Sequence, residues 1–238
     1  MAERVFDTHP ASGDPAWTQR GRRAPRPRDA ATLILVRRDG EQPRILMGRR
    51  HRGHDFMPDK WVFPGGRVDP ADSRAPFASD LRHEVAAKLR MTAPDVRARA
   101  LAMAAVRETF EEAGLLLARP APARSASGPW REFLAQGAQP DLDALEFVAR
   151  AITPPVLPKR FDARFFMADA ERLISLERQP DCGELDEIAW FSMDEAMALN
   201  IPGITRFVLR EAAARLSTPK RDVPFLRFVQ RTQVITHL

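Results

Sequence analysis

The stretch RETFEEAGL, Arg107 to Leu115, limits what this chain can fold into more than any other. It sets Glu108, Glu111 and Glu112 in a run that is otherwise rich in alanine and leucine and reads as a helix, stopped by Gly114 where a left-handed residue belongs. At about 3.6 residues per turn, Glu108 lies one turn before the other two, so all three carboxylates can reach one side. Three like charges there repel. Either they form a solvated acidic face balanced by Arg107, or a cation removes the repulsion. Hard oxygen donors with no cysteine or histidine among them would suit Mg2+ or Mn2+. Spacing alone leaves both readings open.

The surrounding sequence supplies sheet and helix in alternation. ATLILVRR (31–38) and RILMGRR (44–50) are apolar runs separated by the turn residues of DGEQP, and read as two paired strands. DKWVFPGG reads as a short strand stopped by Pro64, with Gly65 and Gly66 in a sharp loop. Helices are expected over 76–89 and 94–113, a buried strand at LLLA after Gly114, and short helices over 130–136 and 142–151. ARFFMA and LDEIAWF read as later strands. SMDEAMAL begins with Ser192 and has Glu195 three residues on, as in a capping box. GITRFVLREAAARL reads as an amphipathic helix and VPFLRFVQ as an edge strand. There is no internal repeat, and the mixture argues for α+β, with a mixed sheet between helices rather than regular βαβ winding.

Composition narrows the partners. The 238 residues can bury a sizeable core, and 37 Lys+Arg against 32 Asp+Glu give a net charge of +5, which suits a phosphate-bearing partner without identifying one. A lone cysteine, Cys182, excludes an intrachain disulfide framework and a thiolate cage, so a reducing, cytoplasmic setting is expected. No apolar run approaches the roughly 20 residues that span a bilayer. Residues 1–29 form a basic arm rich in proline and arginine, without the apolar stretch of a secretory signal. That arm has few aromatics to stack on bases and no recognition motif, which argues against nucleic acid as a partner.

FPGGRVDPAD upstream of the acidic run changes the weighing. Together the two segments resemble the Nudix box, Gly-x5-Glu-x7-Arg-Glu-U-x-Glu-Glu-x-Gly-U with U aliphatic: Gly66, Arg107, Glu108, Glu111, Glu112, Gly114 and Leu115 match. Thr109 stands where an aliphatic residue is expected, and Asp72 where the first Glu is. The larger departure is spacing, since 34 residues rather than seven separate Asp72 from Arg107. An insertion at about 73–100 therefore enlarges the loop within a domain over 30–238, and it leaves Asp72 or Glu84 as the partner of Arg107.

An inserted box, with LMGRRHRGHDFMPDKWVFPGG before it and ITPPVLPKRFDARFFMA after it, resembles the branch of peroxisomal coenzyme A diphosphatases. The resemblance implies a Nudix fold, an α/β/α sandwich with a mixed sheet, and hydrolysis of a diphosphate linkage in a nucleotide conjugate. Coenzyme A or an acyl-coenzyme A leads; ADP-ribose, dinucleotides, capped RNA and a non-catalytic regulatory module are the alternatives. It further implies Mg2+ or Mn2+ held by Glu108, Glu111, Glu112 and the Gly66 carbonyl, with Arg107 in the catalytic set. A later carboxylate, Glu184 or Glu187, is a candidate base, set against an ordinary surface role. Arg49, Arg50, Arg52 and Arg160, with Lys159 and Arg164 behind them, are candidate phosphate clamps, because guanidinium groups present fork-shaped donors. Phe161, Phe165 and Phe166 are core or base-stacking residues. His51 and His54 are better read as loop residues than as ligands. A homodimer is among the assemblies the resemblance allows.

Overall fold

The computed structural model describes residues 24–53, 57–178, 185–229 and 232–238. Eleven strands occur among them: β1 Arg28–Arg37, β2 Arg44–Arg50, β3 Trp61–Val62, β4 Gly65–Arg67, β5 Ala118–Pro120, β6 Ala138–Pro140, β7 Glu146–Ile152, β8 Phe161–Asp169, β9 Leu185–Ser192, β10 Pro224–Val229 and β11 Thr232–His237. The α-helices are α1 His83–Arg90, α2 Asp95–Ala113, α3 Arg131–Ala135, α4 Met193–Ala198 and α5 Gly203–Ser217. The main sheet runs β11-β10-β7-β8-β1-β2-β3, with β4 also on β1 and β9 also on β2. It is mixed: β1 lies parallel to β8 and β10 to β7, while the other pairs are antiparallel.

Alternation along β1 explains why its centre, Leu33 to Val36, is apolar without a break. Ala31, Leu33 and Leu35 face one core with α1, α2 and α3, whereas Ile34 and Val36 face the other with α4 and α5. A strand covered on both faces has no polar side to display. Leu33 and Ile34 are fully buried, each contributing roughly 1.5–3 kcal/mol through lost contact with water. The α+β sandwich expected from the sequence is thus the architecture observed.

Several local expectations are corrected. Residues 142–151 form a helix in the sequence reading, but after one turn of 3-10 helix they become β7, inside the sheet between β8 and β10. Their alanines favour a helix locally, and pairing on both edges outweighs that preference. The first inserted helix starts at His83 rather than Pro76, because the backbone before it bonds elsewhere, as in Ala78 N–H to the Pro140 carbonyl at 2.9 Å. Leu115 to Leu117 are buried without forming a strand beyond one bridge from Leu117 to Leu173. Gly65–Arg67 is a short strand on β1, not a free loop, and the tail strand β10 is internal because β11 takes the edge. The boundary placed at residue 29 falls inside β1. His54, Cys182, Glu184 and residues 1–23 lie outside the described residues. Among the described residues no helix is long and apolar enough to cross a membrane.

Candidate active site

Helix α2 carries the acidic run against the β4 backbone. Its C-terminus is set by Gly114, at φ 67°, whose N–H returns to the Phe110 carbonyl at 2.9 Å. Thr109, the departure from an aliphatic residue, is fully buried and satisfies its hydroxyl on the Ala105 carbonyl at 2.8 Å. The substitution therefore leaves no orphan polar group in the core.

Arg107 organises the run. Its Nε donates to Asp72 Oδ1 at 2.8 Å and its Nη2 to Asp72 Oδ2 at 3.1 Å and to the Arg67 carbonyl at 3.0 Å. Nη1 reaches Glu111 at 2.7 Å and Glu108 at 2.9 Å. Asp72 answers with full satisfaction of its carboxylate, accepting also from Trp130 Nε1 at 2.9 Å and from the Asp69 N–H at 2.8 Å. Of the two partners left open by the sequence, Asp72 is the one; Glu84 pairs with Arg82 at 3.3 Å. Burial alone would depress the Arg107 pKa, but the Asp72 bond and the charges of Glu108, Asp72 and Glu111 outweigh it and raise it.

Glu108 and Glu112 line the floor of a cavity of about 1580 Å3, with Gly65, Gly66 and Arg107 beside them. Glu112 accepts the Gly65 N–H at 2.8 Å. The Glu108 carboxyl sits so close to Gly66 that a Cβ there would lie 2.4 Å from it, whereas a Cβ on Gly65 would lie 2.6 Å from the Ala31 carbonyl oxygen and 2.7 Å from Thr32 Cα. The two glycines therefore fail differently on substitution. Gly66→Ala displaces a carboxylate and should cut turnover by about 10²-fold with the fold kept. Gly65→Ala presses on β1 backbone and should cost about 1–3 kcal/mol. Paired thermal melts and rate assays separate the two effects.

Burial raises the Glu108 pKa, repulsion from Glu111 adds to it and Arg107 only partly opposes, leaving it pushed up to about 7. An acid so placed holds its charge poorly until a cation approaches. Among the described residues no three acidic, histidine or cysteine side chains already form a closed metal cage. The donors nonetheless suit a hard divalent ion: carboxylates from Glu108 and Glu112, and a glycine backbone at Gly66 that admits close approach, while Glu111 does not line the cavity and is held by Arg107 beside it.

The remaining candidates divide. Arg50, Lys159 and Arg160 line the cavity, as do Phe161 and Phe165. Arg49 is instead engaged by Asp59 at 3.4 Å and Glu187 at 3.2 Å, and Arg52 is 81% exposed; neither lies on the cavity wall. Glu187, held by Arg49 and half-exposed, is not brought to the acidic run. Arg164 is no clamp: it is fully buried and ion-paired to Asp162 at 2.9 Å and Asp29 at 3.3 Å, and Phe166 is core. Sequence reading missed Trp130, whose bond to Asp72 spans 58 residues without any local mark, and Arg67, whose carbonyl holds Arg107.

No family model matches the chain. A Caenorhabditis elegans protein provisionally named nudix hydrolase 7 is 30% identical over 190 residues, covering 72% of this chain and 55% of that relative. A solved NUDIX hydrolase from Alicyclobacillus acidocaldarius superposes with a TM-score of 0.61 at 27% identity, covering 82% of this chain and 96% of that one. The chain belongs to the Nudix hydrolase superfamily. It spans about half the length of the curated relative, so the likeness to that Nudix protein concerns one part of it.

Proposed function

We propose that this Nudix chain hydrolyses a diphosphate linkage in a nucleoside diphosphate conjugate, using Mg2+ or Mn2+. The observation that carries the reading is the meeting of Glu108, Glu112 and the Gly65–Gly66 backbone on the floor of a cavity that arginines also line. Glu108, Glu111, Glu112 and the Gly66 carbonyl would hold the ion. Bound there, it would neutralise phosphoryl oxygens and lower the pKa of a coordinated water. The chain's own groups do the rest. Arg50 and Arg160 draw phosphate oxygens into the cavity, and Arg107, tied to Asp72, keeps the glutamate-bearing turn in place. The water oxygen forms a bond to phosphorus, the bridging P–O bond breaks, and the water proton passes to a carboxylate of Glu108 or Glu112. Two phosphate monoesters leave.

Coenzyme A or an acyl-coenzyme A is the first substrate to try, on the strength of the inserted box and its flanking segments. Cleavage would give phosphopantetheine, or its acyl form, and an adenosine bisphosphate. The test is incubation of the purified protein with coenzyme A, acetyl-coenzyme A, ADP-ribose, dinucleotides and capped RNA, with each metal, alongside Glu112→Gln, and product identification by mass spectrometry. Metal-dependent splitting of coenzyme A, lost in the variant, supports the whole reading. Splitting of another conjugate keeps the reaction and removes the substrate. No turnover of any conjugate leaves a Nudix-fold binding module.

A further inference from the structure

One end of the cavity is built from two chain segments far apart in sequence. β1 and β8 run parallel with Arg28 opposite Phe161, the Arg28 N–H donates to the Arg160 carbonyl at 3.0 Å, and Arg160 Nη1 donates to the Pro25 carbonyl at 2.8 Å. These bonds fix residues 25–28 against residues 158–160, and Arg26, Arg28, Lys159 and Arg160 all line the same cavity. Four cations are gathered on one rim.

The nearby carboxylates are spent elsewhere. Asp29 is taken by Arg97 and Arg164, and Asp162 by Arg150 at 2.7 Å and Arg164 at 2.9 Å. Arg160 is half-buried and, among the described residues, meets only neutral acceptors, the Thr153 carbonyl at 3.1 Å besides that of Pro25; burial lowers its pKa. Among the described residues neither Arg26 nor Arg28 is in an ion pair. At Arg26, Arg28 and Arg160 the rim therefore carries positive charge that no described carboxylate meets, the first two exposed and Arg160 half-buried, and such a field draws an anion.

Register also separates this rim from the reacting end. Gly66, against which Glu108 packs, lies opposite Ala31, three residues along β1 from Arg28. At about 3.3 Å per residue the two levels are about 10 Å apart, farther than one diphosphate reaches. We infer that Arg26, Arg28, Lys159 and Arg160 form a second anion subsite that takes a phosphate monoester of the substrate remote from the bond that is cut. The inference rests on the proposed diphosphate hydrolysis and deepens it: the favoured conjugate is one whose nucleoside carries an additional phosphate on its ribose.

Two measurements test it, one of them independent of turnover. Adenosine 3′,5′-bisphosphate and 5′-AMP are titrated by calorimetry into the full chain and into the Arg26→Ala/Arg28→Ala variant, without metal. The expected result is at least tenfold tighter binding of the bisphosphate to the parent chain, shrinking to within about twofold in the variant while the 5′-AMP affinity stays unchanged. Equal affinity of the parent chain for the two ligands, or binding of neither, overturns the subsite, as does a preference that survives the variant. In the second measurement, kcat/KM for coenzyme A exceeds that for dephospho-coenzyme A, and the variant lowers only the former. Equal loss on both substrates overturns it. A bisphosphate preference without hydrolysis of any conjugate would sink the catalytic reading and leave the subsite standing, so the two failures are distinguishable.

Discussion

Glu108→Gln is expected to lower kcat/KM by about 10³-fold, the scale on which enzymes lose a carboxylate that acts at the reacting atoms. The same change should not weaken the fold in metal-free buffer, and above neutral pH should strengthen it. In the folded chain the Glu108 pKa is pushed up from 4.5 to about 7, so the native state binds its proton more tightly than the unfolded state does. Its contribution to stability is complete below about 4.5 and is lost as pH rises towards 7. At about 1.4 kcal/mol per unit, the loss amounts to a few kcal/mol at most. Urea melts from pH 4 to 8 in the presence of a chelator should show this decline in the parent chain and its absence in the variant. A variant that keeps its activity would remove Glu108 from the chemistry. Retention of the decline would show that burial of this carboxyl is not its source.

Asp72→Ala should be the most destabilising single change at the site, costing about 3–5 kcal/mol, the range for stranding one member of a buried ion pair. The Asp72 side chain is fully buried and Arg107 is 4% exposed, so water cannot replace the lost partner. Trp130 Nε1 and the Asp69 N–H lose their acceptor too. Denaturant melts of the variant should shift in midpoint with little change in slope. The double replacement Asp72→Leu/Arg107→Met should regain part of the stability, since an apolar pair carries no stranded charge, yet leave turnover low because Glu108 and Glu111 lose their shared donor. Equal destabilisation by the single and double changes would count against the ion pair as the cause.

What could be read in advance follows from the range of the forces. The β1 and β2 strands, the Gly114 stop and the Ser192–Glu195 capping box are local in origin, and they lie where the sequence places them. Strand β7 was hidden because its order in the sheet comes from partners at β8 and β10, not from its own alanines. Arg164 looked like its neighbour Arg160. Arg160 stands just before β8 and Arg164 within it, and only the folded strand puts the second into a network with Asp29 and Asp162 and leaves the first on the cavity. Arg49 and Arg50 also divide, the first engaged by Asp59 and Glu187, the second on the cavity wall. The gathering of the glutamates was legible because one helix turn brings them together. Which carboxylate closes on Arg107 was not, since that depends on a contact across 35 residues.

Asp72 closes on Arg107 before the long excursion begins, and α2 is already under way when that excursion ends. The stretch between them is thus a side road whose two ends are pinned at the same junction. The Asp72–Arg107 contact does not depend on how many residues that stretch holds, so a change of length outside the core residues of α1, Val85 and Leu89, is expected to leave the junction in place. A pattern that counts residues along the chain will miss such a site; one that asks which side chains meet will find it.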